Sequence, residues 1–366
     1  MKKMFHNDDI FVLSSSCKVT KGANRSVIVD YLRSDIQLIP NEYYELIQVL
    51  NRNTINGIIE IIDENSLYHF HTFLNFMLDN EYGMIVSDLN QFPEISTELH
   101  DDIISLKDSI VEIDTESFNE DVFTNIIRQI DSLLCDDIQI RFLSDITFDF
   151  ADHVLGILNK FDIFCIEIHS AKSLQISQEQ WFSLIEKYAA LSRIFIYSSG
   201  KNEKTDFIKY SRRNVPLLMG NVYYIANEFN SGCCGVITQD NLSFGDQGMH
   251  NLLKLYNGCL YKKLTIDKSG NIKNCPSMQK DYGNSLRQDI SSVIKTKKFQ
   301  KYWLIKKDDI EVCKDCEFRY NCTDCRAFLV DPNNIKSKPL KCGYNPYTNI
   351  WEEDCINPLK NLTSQT

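Results

Sequence analysis

The sequence predicts an α/β protein in three parts: an N-terminal winged-helix-like α+β unit over residues 1–90, a central open or partial (β/α) barrel over 91–230, and a C-terminal cysteine-rich lobe over 231–366. Three observations predict it. A chain of 366 residues exceeds what one hydrophobic core usually fills, so it divides into domains. Between 109 and 230 short β-branched runs alternate with helical patterns. And ten of the thirteen cysteines fall after residue 232.

In the first part, FVLSSSCKV and RSVIVDYL read as a strand pair turning at Lys21–Asn24. Three helical patterns follow, NEYYELIQVLN, TINGIIEII and SLYHFHTFLNFMLDN. In the last, Leu67, Phe70, Leu74 and Met77 or Leu78 recur at helical spacing. Gly83 ends that helix and MIVSD returns as a short strand. His69 and His71 are two apart and do not share a helix face, which predicts packing or surface roles rather than a metal pair.

Residues 91–108 read as a linker. Beyond them SIVEID, DIQIRFL, DIFCIEI, RIFIYSS and NVYYIA read as strands, with helices over 117–134, 148–160 and 178–190. Repeated strand–helix units imply parallel strands with crossover helices. Five strands are too few for a closed eight-stranded barrel. No glycine-rich nucleotide fingerprint follows any strand. Glu167, His169, Ser198, Ser199 and Asn227 fall near strand C-termini, where such folds place active sites; Glu167 and His169 serve equally well as polar flanks of a core residue.

No apolar run reaches the roughly 20 residues that span a bilayer, and the N-terminus lacks the apolar stretch of a signal peptide. The expectation is a cytoplasmic protein with no membrane partner. Net charge is −11, which argues against general nucleic-acid binding, but the charge is uneven. Residues 259–347 carry 18 basic and 10 acidic side chains, whereas the first 258 residues carry a net −17.

In a reducing compartment, dense cysteine points to metal rather than disulfides. Cys17, Cys135 and Cys165 sit singly in apolar segments and read as buried packing. Cys313, Cys316, Cys322 and Cys325 are spaced C-x2-C-x5-C-x2-C, and pairs of soft thiolates two residues apart bind one metal centre from a single turn. Zinc ribbons space their pairs more widely. With Cys259, Cys275 and Cys342 there are seven thiols, which suit one four-cysteine and one three-cysteine iron–sulfur cluster better than complete zinc sites. Zinc remains the alternative.

The pattern Cys259-x10-Gly270-x4-Cys275, then the quartet, then Cys342 resembles the SPASM domain, the auxiliary-cluster domain of radical SAM peptide-modifying enzymes. The family's last quartet spacing is x3, where this chain has x2. The resemblance implies that Cys259, Cys275 and Cys325 bind a first 4Fe–4S cluster and that Cys313, Cys316, Cys322 and Cys342 bind a second. The fourth ligand of the first is open, with Cys233, Cys234 and Cys355 as candidates. GNIKNCPSM, VCKDCEFRYNCTDCRAF and KPLKCGYNPYTNIWEE further resemble the peptide maturases of grasp-with-spasm systems. That resemblance implies a central barrel of radical SAM type, and an ATP-grasp ligase and a short precursor peptide as partners. In related enzymes a winged-helix unit binds the precursor's leader by strand addition. A DNA-binding winged helix fits poorly with 7 basic against 12 acidic residues in the first 90.

One part of the family's equipment is missing. The loop after SIVEID reads TESFNEDVF, without the C-x3-C-x2-C that chelates the SAM-binding cluster, and RFLSDIT stands where a glycine-rich SAM turn belongs. No SAM is therefore expected. The expected function is peptide maturation as an iron–sulfur partner of the ligase. The alternatives are a SAM-independent enzyme with an open iron on the first cluster, or a structural zinc scaffold.

Overall fold

The computed structural model describes residues 6, 8–94, 106–171, 175–230, 234 and 237–352. Residues 95–105 of the expected linker, Cys233 and Cys355 lie outside these. The chain forms two compact units, one of Met1–His100, Val236–Gly258 and Ile305–Thr366, the other of Asp101–Gly235 and Cys259–Leu304. They interleave along the sequence, where the sequence reading drew three contiguous segments.

The first unit begins with β1 (Ile10–Leu13), β2 (Cys17–Lys21), β3 (Ser26–Asp30) and β4 (Asp35–Ile39), then α1 (Asn41–Leu50), α2 (Ile55–Ile61), α3 (Leu67–Asp79) and β5 (Gly83–Val86). The expected strand FVLSSSCKV is two strands, broken by a turn in which the Cys17 N–H donates to the Ser14 carbonyl at 2.9 Å. β1 pairs with β5, while β2, β3 and β4 form an antiparallel meander. β4 escaped the sequence reading because DIQLI mixes polar and apolar residues with two exposed positions. The helices close on Phe11, Ile28, Phe70, Phe73, Leu74 and Met77. Gly83 is required there, since a Cβ would lie 2.3 Å from the Phe11 ring.

Every residue of β3 is buried. Ile28 joins the helical core, while Val27 and Val29 pack with Tyr31, Phe318 and Tyr344. Period-2 alternation thus gives one strand two cores. The second core draws residues after 305 into the N-terminal unit.

The second unit contains β6 (Asp108–Ile113), α4 (Glu120–Asp131), β7 (Asp137–Phe142), α5 (Phe148–Leu158), β8 (Cys165–Ser170), α6 (Gln178–Lys187) and β9 (Leu191–Ile196). A hairpin of β10 (Glu203–Tyr210) and β11 (Pro216–Tyr224) follows, then β12 (Lys263–Ile266) and β13 (Ile272–Lys273). Asn119, Thr147 and Ser177 cap the three helices by accepting first-turn backbone N–H groups. The eight strands form one sheet in the order β10-β11-β9-β8-β7-β6-β12-β13, parallel from β11 through β12. It is open, as five strands had implied, but β12 adds a sixth parallel strand and carries residues after 259 into this unit.

The two faces of the sheet differ. Ile138, Ile140, Ile166, Ile168 and Ile194 are buried on the helix side, where a Cβ on Gly220 of β11 would press on Ile185 of α6. Gln139, Arg141, Glu167, His169 and Arg193 alternate onto the other side. Parallel sheets normally cover both faces with apolar layers, so this polar face departs from the usual arrangement. No helix of the described residues is long and apolar enough to cross a membrane.

Candidate metal centre

Four of the cysteines line one cavity in the first unit. Cys313, Cys316, Cys322 and Cys342 line one small, partly open pocket, together with Lys307, Arg319, Lys338, Val312, Tyr344 and Pro346. These are the four thiols that the family resemblance groups together. The lining includes three cations and no carboxylate.

A strained turn presents the first thiol. Val312 has φ 67 and ψ −45, and the Cys313 N–H donates to the Glu311 carbonyl at 2.7 Å. This is a γ-turn of the rare, strained sense, centred on a β-branched residue. The Cys316 N–H then donates to the Cys313 carbonyl at 3.0 Å, tightening the C-x2-C loop.

Behind the thiols lies a buried ionic group. Lys307 Nζ is 4.0 Å from Cys313 Sγ and 3.4 Å from Asp324, and its side chain is 4% exposed. Asp324 also pairs with Arg326 at 2.7 Å and accepts from Asn257 Nδ2 at 2.6 Å. Burial opposes the Lys307 ammonium, but Cys313, Cys322, Asp324 and Cys342 outweigh it and hold its pKa well above the usual lysine value. Against burial, Lys307 and Arg326 hold the Asp324 carboxyl below its usual range.

The thiols themselves are poor acids. Burial raises Cys313 against the pull of Lys307, raises Cys316 strongly with help from Glu317, and pushes Cys322 up to about 12. Releasing their protons requires a partner that binds thiolate tightly, which a soft metal centre does. A single zinc needs every sulfur about 2.3 Å from one point. Among the described residues no three His, Cys, Asp or Glu side chains are gathered to hold a single metal ion. Four thiols around a cavity with a cationic lining fit an anionic iron–sulfur cluster.

Cys325 is buried in the first unit, whereas Cys259 and Cys275, its partners by resemblance, belong to the second. In that second unit burial raises the Cys275 thiol, and Cys234 adds to the rise while Lys263 and Arg141 oppose it. Lys263 pairs with Asp108 at 3.0 Å. Burial opposes its charge, and Asp108, Cys259 and Cys275 hold its pKa above the usual value. Cys234, Cys259 and Cys275 thus share one electrostatic neighbourhood.

The polar sheet face holds a second constellation. Glu167 Oε1 lies 2.6 Å from His169 Nε2, Tyr197 Oη lies 3.0 Å from His169 Nδ1, and Arg193 Nε lies 2.9 Å from Glu167 Oε2. His169 stacks on Phe195 at 4.6 Å, and Phe195 stacks on Tyr223 at 4.6 Å, following the strand register. Burial holds His169 below the usual histidine value despite Glu167. Glu167, although buried, is held below the usual carboxylate range by His169 and Arg193. Ser198 and Asn227 are joined at the strand ends by a 2.9 Å bond from the Ser198 N–H to the Asn227 carbonyl, and the Ser199 hydroxyl donates to the Lys201 carbonyl. Those serines shape a turn and do not join the His169 group.

Cys17 and Cys135 are buried, as expected. Cys165 departs from expectation: it is half-buried, 3.0 Å from Ser192 Oγ, in a polar cleft with Asp108, Asp137 and Glu167. The alternation that puts Ile166 toward the helices sends Cys165 to the polar face. His69 is exposed and His71 half-buried. Sequence reasoning missed Lys307, Lys263 and Tyr197. Lysine is seldom buried, so nothing in the sequence separates Lys307 from its exposed neighbours.

No protein-family model matches the sequence and no curated protein matches it. Among solved structures, the chain is similar to SuiB of Streptococcus suis bound to S-adenosylmethionine, at 10% identity over 90% of this chain and 99% of that one, TM-score 0.39. SuiB bound to its precursor peptide SuiA gives 11%, 95%, 100% and 0.26 in the same order. Native anSMEcpe with bound AdoMet and Cp18Cys peptide gives 8%, 71%, 100% and 0.38. Likeness at this level fixes neither the family of this chain nor its ligands.

Proposed function

We propose that this chain is an iron–sulfur partner protein in the maturation of a ribosomally made peptide, acting with an ATP-grasp ligase. The observation that carries the reading is the single cavity lined by Cys313, Cys316, Cys322 and Cys342. What supports it is that thiols from two separated stretches line one pocket and are the set that the SPASM resemblance groups together. Those four would hold one 4Fe–4S cluster. Cys259 and Cys275 would contribute to another, with Cys234 as a further candidate ligand. Bound clusters would supply a charged, redox-capable centre.

The chain's own residues have separable tasks in this account. The β2–β3–β4 meander with α1–α3 takes the precursor's leader by strand addition, where main-chain pairing gives affinity. The basic surplus of residues 259–347 favours an acidic core peptide, whose side-chain carboxylates the ligase activates. The loop after β6 has no cysteine, so SAM cleavage has no part in the proposal. Cytoplasmic residence belongs to the same reading.

A second reading has one observation in its favour. The Glu167–His169–Tyr197 chain on the polar face is an oriented acid–base group, which a binding partner has no need of. It would make the chain an enzyme in its own right. Reconstitution separates the two: precursor, ligase and ATP, with and without this chain, followed by mass spectrometry. A product that needs both proteins supports the partner reading. A product from this chain and precursor alone favours the enzyme, and a product from the ligase alone refutes both.

A further inference from the structure

We infer that Lys307 is a built-in counter-cation which sets the charge, and with it the reduction potential, of a cluster held by Cys313, Cys316, Cys322 and Cys342. This rests on the iron–sulfur reading above.

Lysine is almost never fully buried unless paired. Lys307 has Asp324 at 3.4 Å, but Asp324 carries one negative charge and already holds Arg326 at 2.7 Å and an amide donor from Asn257. The buried set of Asp324, Arg326 and Lys307 therefore keeps a surplus positive charge. Burying an unpaired charge is strongly unfavourable. The surplus faces sulfur, with Nζ 4.0 Å from Cys313 Sγ and Cys322 and Cys342 lining the same cavity.

A cluster ligated by four thiolates supplies the missing negative charge. Net charge near the cluster and hydrogen bonds to its sulfurs are the protein's main means of tuning its potential. Of the three cations in the lining, Lys307 is the most deeply buried and donates to Cys313 Sγ as well as pairing with Asp324. Arg319 is engaged by Asp308 at 3.0 Å and by the carbonyls of Lys21 and Cys316, and Lys338 is only half-buried. A buried cation favours the reduced, more negative state, so it raises the potential.

The test uses the full-length chain purified anaerobically, with iron and acid-labile sulfide measured per chain and midpoints read by EPR-monitored titration. Lys307→Met should keep its iron and move one midpoint to a more negative value. Lys307→Arg should stay near wild type. Lys314→Met, which removes an exposed charge beside Cys313, should leave both midpoints in place. Should Lys307→Met lose cluster, Lys307→Gln, which keeps a polar donor toward the sulfurs without the charge and leaves the Asp324–Arg326 pair intact, should recover iron at the lowered midpoint. An unchanged midpoint at full iron content overturns the inference while the cluster reading stands, as does iron loss in Lys307→Arg and Lys307→Gln alike. Zinc without sulfide in the wild type overturns the cluster reading itself, and the inference falls with it.

Discussion

Arg25 Nε lies 2.7 Å from Glu317 Oε1, joining the β2–β3 turn to the residue that follows Cys316. Glu317 is fully buried and also accepts from the Tyr344 hydroxyl at 2.5 Å. Gly22 fits the same contact, since a Cβ there would come 2.9 Å from the Glu317 backbone nitrogen. The N-terminal sheet and the C-x2-C loop are therefore parts of one packed unit.

Removing Arg25 should leave that carboxylate short of a partner. Arg25→Ala is expected to lower stability by about 1–3 kcal/mol in chemical denaturation, because a buried acceptor loses a donor that water replaces only in part. Combining it with Glu317→Gln, which removes the charge, should recover much of the loss. Equal losses in the single and double variants would show that the ion pair is incidental.

The γ-turn at Val312 makes an unusual prediction. Backbone strain of this kind costs of order 1–3 kcal/mol, while glycine brings an entropic penalty of roughly 0.5–1 kcal/mol. Val312→Gly should therefore leave stability unchanged or improved, against the usual direction for valine to glycine. A loss of about 2 kcal/mol or more would show that the side chain's packing outweighs the strain it sits on.

His250 predicts a pH dependence. It is 1% exposed, with Nδ1 2.7 Å from the Tyr31 hydroxyl, and burial lowers its pKa to about 3, reinforced by Lys254, Lys18 and Arg319. The unfolded chain takes up this proton near the usual value of about 6.5, and the folded one does so only near 3. Stability from this group is therefore complete above about pH 6.5 and falls as pH drops, by at most about 1.4 kcal/mol per unit. Denaturation midpoints of wild type and His250→Gln, compared from about pH 7 to pH 5, should show the flatter slope in the variant. Parallel slopes would count against the neutral, buried assignment.

Cysteine substitutions should sort by role. Cys322→Ser is expected to remove about half of the bound iron, since on the proposed assignment it takes a ligand from one of two four-iron clusters. Cys17→Ser places a hydroxyl among Phe11, Ile28 and other core side chains; it should cost about 1–3 kcal/mol of stability and leave iron content unchanged. If iron falls equally in both, the loss reflects unfolding rather than ligation.

Much of this was legible in the sequence, and the rest was hidden for definable reasons. The βα alternation revealed β6 to β9 because Ile138, Ile140, Ile166 and Ile168 repeat with strand period beside capped helices. Cys313, Cys316, Cys322 and Cys342 stood out because spacing is a local property. Lys307 did not, since its burial depends on contacts with Asp324 that no pattern encodes. β4 and β10 were missed because DIQLI and EKTDFIKY lie at sheet edges, where exposed polar positions blur the apolar signal. The interleaving of the two units depends on Val27 and Val29 meeting Phe318 and Tyr344, some 290 to 320 residues away in sequence.

The most direct test is the metal content of anaerobically purified full-length protein, taken as iron, acid-labile sulfide and zinc with a visible absorption spectrum. Two clusters predict about eight iron and eight sulfide per chain with broad visible absorption. One or two zinc ions without sulfide would contradict the account and leave a zinc-stapled scaffold in its place.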